Sequence, residues 1–443
     1  MLNISSYVSV IPRIVRANTE TKIKIKPKYS FIEFTGRYRV SVLPKYFFHS
    51  SDRVAQYESF TVEASDNCIE IAFCFGNEQE YCIQVTAADG DRRKSKAIQT
   101  SVYALSDDLY SMKVVKGELH QHTNFSDGIE SPEHRIAIAR KYGMDYIAIT
   151  DHNGYEGSLR AINVMSRFPN NMVALHGEEV HADYCPAHIL SLGAKYAIAP
   201  LVTKRNLEQE KRLTEIMSHY ADAIAGDVDL RSYASAMDVF EHIRKAGGLS
   251  VLCHIYWDAI DFDNDIRMGT PEQLVNALVE HRIFDAFEIT SGAPPTDTKA
   301  NYLQEIYYRE RLSNDIPIIG VTDSHSTDSM MNSIFGKNYT IAFISDFSED
   351  GILDAIKKCN VVSVDAVTGE TICHGSLRLC KYATFLVKEY FPIHDEIVAI
   401  EGMYMERILL KNDFNFEQME ELCSSSNELL VDEWKEIAPV KVK

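Results

Sequence analysis

The sequence predicts an α/β protein in three parts: a β-sandwich over residues 1–105, a larger domain of alternating strands and helices over 115–365, and an α-rich extension or cap over 366–443. Short strand-like runs spaced by turn residues fill the N-terminal region. The hydrophobic period then switches, and apolar strands alternate with helix-length segments bounded by capping signals. Beyond residue 365 that alternation stops. A chain of 443 residues is long enough for two or three domains with substantial cores.

In the first part, Tyr7–Ile14, Thr21–Ile25, Tyr38–Leu43, Ser59–Glu63, Cys68–Phe73 and Tyr81–Thr86 are rich in β-branched and aromatic residues, and several alternate in polarity. Strands this short and this regularly spaced suggest an immunoglobulin-like sandwich. The polar run Asp89–Ser95 reads as a turn, and residues 106–116 as a linker.

In the second part, Ser131-Pro132-Glu133 starts a helix with a capping serine, proline at the first helical position and an acidic first turn. Gly143 stops it, and the apolar run Tyr146–Ile149 is a buried strand. The same grammar recurs in helix Met237–Ala246 with strand Leu249–Cys253, in helix Pro271–His281 with strand Ala286–Ile289, and in helix Lys299–Leu312 with strand Pro317–Val321. Residues 200–236 are polar and helical, and read as an insertion on a barrel rim. In the tail, Glu417–Leu422 and Asn427–Trp434 are expected to be helical.

Composition excludes several functions. With 64 acidic against 45 basic residues the formal charge is −19, which disfavours general binding to nucleic acid or an anionic membrane. A phosphorylated small molecule stays possible, because bound cations can reverse the local field. Nine scattered cysteines without a C-x-x-C pair read as reduced thiols. No basic n-region with an apolar run opens the sequence and no long apolar span occurs, so a cytoplasmic protein is expected.

The chemistry lies at the strand ends. In Gly117–Gly128, His120 and His122 stand two apart, so a strand presents both to one face, and Asp127 follows on a turn. Imidazole nitrogen suits Zn, Mn or Fe. The apolar run to Ile149 ends in Thr150-Asp151-His152. Leu175–His181 carries Glu178, Glu179 and His181, with His188 close behind. Leu249–Cys253 ends in His254, and Ile319–Val321 in Asp323 and His325. Each segment alone reads equally as a turn, a surface acid pair or a core histidine. Five strand ends bearing such residues in one βα domain do not, because those ends converge on one face. About six histidines and three carboxylates would hold two or three divalent ions, and without them that much buried charge would be costly. Trp257, Tyr307-Tyr308 and Met330-Met331 read as core or rim. His49, His134, His219, His242, His281, His374 and His394 read as structural or exposed.

In order, His120-x-His122-Thr123-x-x-Ser126-Asp127-Gly128, Thr150-Asp151-His152, Gly177-x-Glu179, His254 and Asp323-x-His325 resemble the motifs of the PHP (polymerase and histidinol phosphatase) superfamily, over residues 115–330. The resemblance implies an irregular (β/α)7 barrel. It implies metal-binding positions at His120, His122, Asp127, His152, Glu179, His254, Asp323 and His325, with Glu179 rather than Glu178 as the bridging carboxylate. The run Gly177–His181 with His188-Ile189-Leu190, behind an N-terminal β domain, resembles the carbaryl-hydrolase-like branch, whose named activity is carbamate hydrolysis. Glu118 stands where related sequences often have Asp.

These readings converge on a metal-dependent phosphoesterase or phosphatase with a small-molecule phosphate ester as substrate and Mn, Zn or Fe as cofactor. A metal-activated water would attack phosphorus. His188 or His181 is expected to protonate the leaving group, and Asp151 to orient a ligand or the water. The alternative is a carboxyl- or carbamate-ester hydrolase using the same cluster. A third reading has the barrel hold metal structurally while the β domain binds a partner. A nuclease is disfavoured, because no basic track with interleaved aromatics is present.

Overall fold

The computed structural model describes residues 2–3, 5–46, 58–88, 96–169, 172–224, 226–261, 266–291, 299–312, 316–327, 334–411 and 415–434; the expected turn Asp89–Ser95, His49 and the Met330-Met331 pair lie outside them. The chain divides into two compact units, one built from Met1–Met112, Thr384–Ile397 and Ser424–Lys443, the other from Lys113–Ala383 and Val398–Cys423. The C-terminal stretch, expected as one extension, is thus shared between them.

The first unit holds two sheets. One runs in the order Leu2–Asn3, Lys96–Leu105, Gln79–Ala87, Arg37–Pro44, Glu58–Glu63, with Ile14–Arg16 also paired to Lys96–Leu105. The other is Val8–Ile11, Thr19–Pro27, Ile69–Phe75. Period-two alternation drives their packing. On Thr19–Pro27, Ile23 and Ile25 are buried while Lys22 and Lys26 are exposed. Inward residues of both sheets, including Val10, Ile25, Ile71, Val42, Ile83 and Val102, form one core, as in a sandwich. The strand Lys96–Leu105 was not anticipated, because the polar run Gln99-Thr100-Ser101 interrupts its apolar pattern, although Thr100 and Ser101 are buried along with Ile98, Val102 and Ala104. The expected linker 106–116 contains the short helix Asp107–Tyr110 and the start of strand Lys113–Glu118.

The second unit is mixed α/β. One sheet has the order Val173–Leu175, Tyr146–Ala148, Lys113–Glu118, Asn338–Ile344, Val361–Asp365, Ile372–His374. The other has Gly177–Val180, Ile189–Leu192, Leu249–Leu252, Ala286–Thr290, Ile318–Gly320. Two isolated parallel bridges, Gln121 with Ser324 and His152 with Glu179, stitch the sheets together; Gln121, Ser324 and His152 lie just beyond strand ends and Glu179 within Gly177–Val180. The simple βα alternation read from the sequence is broken. Lys113–Glu118 pairs antiparallel with Asn338–Ile344, and Ile189–Leu192 pairs antiparallel with both its neighbours. Gly177–Val180 and Ile189–Leu192 follow each other without an intervening helix, and Lys113–Glu118 meets a partner more than two hundred residues away; neither arrangement shows in a search for strand–helix repeats.

Pro132–Lys141, Glu272–His281 and Lys299–Arg311 formed close to expectation, while the helix expected over Met237–Ala246 starts earlier, at Leu230, within the stretch expected as an insertion, and runs to Lys245. Ser131 Oγ accepts from His134 N, and Asp229 caps Leu230–Lys245 through the backbone N–H groups of Arg231 and Ser232. The region expected as an insertion contains Ala199–Val202 and the amphipathic helix Leu207–Tyr220. Leu377–Glu389 and Phe391–Lys411 were not read from the sequence, and Phe416–Trp434 is one helix where two short ones were expected. No helix among the described residues is long and apolar enough to cross a membrane.

Candidate metal centre

The strand ends of the second unit deliver their histidines and acids to one place. Its centre is Glu179, fully buried in strand Gly177–Val180. Oε2 lies 3.2 Å from His120 Nε2, 3.3 Å from His122 Nε2 and 2.9 Å from His152 Nδ1. Oε1 lies 3.1 Å from His254 Nε2, 3.0 Å from His188 Nδ1 and 3.4 Å from His181 Nε2. One carboxylate therefore faces six imidazoles from four separated stretches of chain. Glu178 points elsewhere: its carboxylate accepts the backbone N–H groups of Ile198 and Ala199 at the start of a short helix.

Two further acids extend the cluster. Asp323 Oδ1 approaches His122 Nε2 at 2.8 Å and His120 Nε2 at 3.3 Å. Asp127 stands toward solvent, its oxygens 3.4 Å from His152 Nε2 and 3.3 Å from His325 Nε2. Ligand-capable atoms within 4.8 Å of one another form overlapping groups: His120, His122, Glu179 and Asp323; Glu179, His188 and His254; His152, Glu179 and His181; and His122, Asp127, His152 and His325. Glu179 belongs to three of these, and His122 and His152 offer different ring nitrogens to different groups. All eight residues expected as ligands are within the cluster.

Electrostatics follow the geometry. Burial would raise the Glu179 carboxyl, but the surrounding histidines outweigh it and hold the group well below the carboxylate range. Asp323 and Asp127 are depressed in the same way. Burial pulls His152 down, yet Asp127 and Glu179 lift it to about 10. His188 goes the other way, its burial outweighing Glu179 and lowering it to about 4. The donor set as a whole attracts positive charge.

Divalent ions fit these residues. Buried His120 Nε2, His122 Nδ1, His152 Nδ1, His181 Nε2, His188 Nδ1 and Glu179 Oε2 have no hydrogen-bond partner among the described residues, although they face one another at ion-pair distance. Such orphaned atoms are costly unless something else binds them. Mixed imidazole and carboxylate donors suit Zn, Mn or Fe. Backbone geometry is also unusual: Asp323 has φ 48° and His254 φ 21°, a region that non-glycine residues enter at a cost of roughly 1–3 kcal/mol.

The three residues expected to act in catalysis divide. Asp151 is turned away from the cluster. Its Oδ1 accepts from Thr123 N (2.6 Å) and Ser126 Oγ (2.8 Å), and its Oδ2 from Thr123 Oγ1 (2.7 Å). These contacts tie Asp151 to the loop that carries Asp127, one of the expected ligands. Gly157 makes room for it, since a Cβ there would lie 2.1 Å from Asp151 Oδ2. In the same loop a Cβ on Gly128 would lie 2.4 Å from His122 O, so only glycine fits that turn. His181 and His188 do reach the cluster, stacked on each other with ring centroids 3.6 Å apart. His176 does not, because its Nδ1 bonds Glu349 at 2.9 Å.

Sequence reasoning missed the supporting residues. Glu288 is fully buried beneath His120, and Arg135 is fully buried with its guanidinium on Ser324 O (2.9 Å) and Oγ (3.1 Å). Their signal was present: a glutamate inside the apolar strand Ala286–Thr290 and an arginine inside the apolar face of Pro132–Lys141 both demand buried partners. Glu118 supports the site as well. Burial pushes it up to about 7, and its Oε1 accepts from His120 N and Thr322 N.

Residues 118–248 match the PHP domain family. The matched segment holds His120, His122, Asp127, His152 and Glu179; His254, Asp323 and His325 follow it. No curated protein matches the chain. Among solved structures, the chain is similar to a two-domain protein containing a predicted PHP-like metal-dependent phosphoesterase from Bacteroides vulgatus, at 17% identity and TM-score 0.38, over 58% of this chain and 66% of that one, just under two thirds of its length. It is also similar to a candidate metal-dependent phosphoesterase from Bifidobacterium adolescentis, at 22% identity and TM-score 0.30, over 47% and 87% of the two chains. A third similarity is to an amidohydrolase from Chromobacterium violaceum with bound sulfate and no metal, at 16% identity and TM-score 0.31, over 48% and 88%.

Proposed function

We propose that the protein is a metal-dependent hydrolase that cleaves a small-molecule phosphate ester, with two or three divalent ions of Mn, Zn or Fe held by His120, His122, Asp127, His152, Glu179, His254, Asp323 and His325. The observation that carries this reading is the Glu179 carboxylate, fully buried among six imidazole nitrogens at 2.9–3.4 Å. The same reading takes the two stitched sheets as an irregular (β/α)7 barrel and places the chain in the reducing cytoplasm, consistent with nine free cysteines.

Bound ions would make a water acidic enough to supply hydroxide near neutral pH and would offset charge on the phosphoryl oxygens. The chain's own residues do the rest. Glu179 ties the ion positions together, and Asp323 aligns His120 and His122. His188, lowered to about 4 by burial, is the poorer of the two histidines as a proton donor to a leaving group. His181, 30% exposed, is the group that donates a proton to the leaving oxygen. Asp151 keeps the Asp127 loop in place.

A second reading, hydrolysis of an aryl carboxyl or carbamate ester as in the carbaryl-hydrolase-like branch, is favoured by one observation. The Trp257 ring lies 5.3 Å from His188 and 5.9 Å from His254, giving the site an aromatic wall.

The test compares turnover of p-nitrophenyl phosphate, p-nitrophenyl acetate and an aryl carbamate by Mn-loaded protein, with His122→Ala alongside. Phosphate turnover is expected to dominate, and the variant to lose both turnover and bound metal while staying folded. Ester or carbamate turnover without phosphate turnover would install the second reading. Metal-replete protein inert on all three would remove the hydrolase assignment.

A further inference from the structure

We infer that Glu288 is a positioning residue that sets the tautomer and orientation of His120 and, with the same carboxylate, fixes the backbone that presents His254. The inference rests on the metal-hydrolase reading. Glu288 is fully buried on strand Ala286–Thr290, where the pairing with Ile318–Gly320 slips between Glu288 and Thr290. Its Oε2 lies 2.9 Å from His120 Nδ1, and its Oε1 accepts from His254 N at 3.2 Å. Both oxygens therefore face nitrogens of residues that converge on Glu179.

The geometry dictates the proton's place. With an ion on the Nε2 side, a carboxylate facing Nδ1 keeps the one ring proton there, and His120 Nε2 turns its lone pair to the ion. That Nε2 points into the cluster, 3.2 Å from Glu179 Oε2 and 3.3 Å from Asp323 Oδ1, and has no hydrogen-bond partner among the described residues. A carboxylate that orients a ligating imidazole in this way also raises its basicity, and losing it typically weakens metal binding about 10–100-fold. The second oxygen has a separate task. His254 has φ 21°, and an acceptor on its amide N–H helps hold that backbone in place.

Glu288→Gln isolates the effect. The site contains two donors, His120 Nδ1–H and His254 N–H. A carboxylate accepts from both, while an amide of the same shape offers one acceptor and sets an NH2 against the other donor. If the amide oxygen stays on His254, the NH2 drives His120 into the opposite tautomer, with its proton on Nε2 where an ion should bind. Glu288→Asp keeps two acceptors on a shorter arm.

The test titrates Mn or Zn against a competing chelator with wild type, Glu288→Gln and Glu288→Asp, with far-UV circular dichroism on each. Glu288→Gln is expected to bind about 10–100-fold more weakly with an unchanged spectrum, and Glu288→Asp to recover part of the loss. Wild-type affinity in Glu288→Gln would overturn the inference while leaving the metal assignment intact. A wild type that binds no metal would overturn both. Should Glu288→Gln fail to fold, histidine-selective 15N NMR of the Zn-loaded wild type decides the matter: a proton on His120 Nδ1 with Nε2 metal-bound supports the inference, and metal on Nδ1 or a proton on Nε2 overturns it.

Discussion

Replacing Glu179 by glutamine is expected to strip the cluster of its ions and to lower hydrolysis roughly 1,000-fold or more, beyond the 10–100-fold typical of a residue that merely supports a ligand. The reason is its connectivity. Each oxygen faces three imidazoles, and three of the overlapping donor groups share this one side chain. Glutamine keeps the shape but is neutral, and its NH2 would confront nitrogens that require an acceptor or an ion. Metal content by inductively coupled plasma mass spectrometry and turnover on the best substrate of the panel measure the effect. The neighbouring Glu178→Gln is a control with intact metal loading, since that carboxylate accepts the backbone N–H groups of Ile198 and Ala199 instead of facing the cluster.

Arg140→Ala is expected to produce the largest loss of stability outside the cluster, about 3–5 kcal/mol, because removing one partner strands buried charge. Arg140 is 2% exposed. Its Nε donates to Glu401 at 2.7 Å, and its Nη1 to Asp145 at 2.9 Å and to Met144 O at 3.3 Å. Truncation leaves two carboxylates facing a cavity. The packing there is tight, since a Cβ on Gly402 would lie 2.2 Å from Lys141 N. The midpoint of urea denaturation measures the loss. Combining Arg140→Met with Glu401→Leu should cost less than Arg140→Met alone, because an apolar pair replaces charge and countercharge together. An Arg140→Ala midpoint equal to wild type would show that the ion pairs contribute nothing.

The parts of this fold legible in the sequence were those governed by local rules. Pro132–Lys141 formed near its expected limits because the Ser131 cap, Pro132 and the Gly143 stop are encoded within a few residues, and Glu272–His281 begins where Pro271 sets its start. The sandwich was legible from the alternation seen in strands such as Thr19–Pro27. Tertiary context wrote the rest. Asn338–Ile344 is buried on both faces, so it shows no alternation, and one of its two antiparallel partners, Lys113–Glu118, lies more than two hundred residues upstream. Phe391–Lys411 carries apolar residues around much of its circumference and gave no amphipathic stripe.

The candidate site divides along the same line. Histidines and acids at strand ends announce themselves by type and position, and every expected ligand lies in the cluster. What the sequence could not convey is direction. Asp151 and His152 are adjacent, yet the first turns back to Thr123 and Ser126 and the second faces Glu179. Glu288 likewise looked like an ordinary strand residue until its partner His120, 168 positions away, was in view.

Anomalous X-ray scattering from crystals of the wild-type protein loaded with Mn addresses the central claim most directly. Two or three peaks are expected around the Glu179 carboxylate, at roughly 2.0–2.3 Å from the nitrogen and oxygen donors that bind them, with His120, His122 and Asp323 on one of them. Metal-replete crystals without a peak there, or with ions only at other places on the chain, would contradict it.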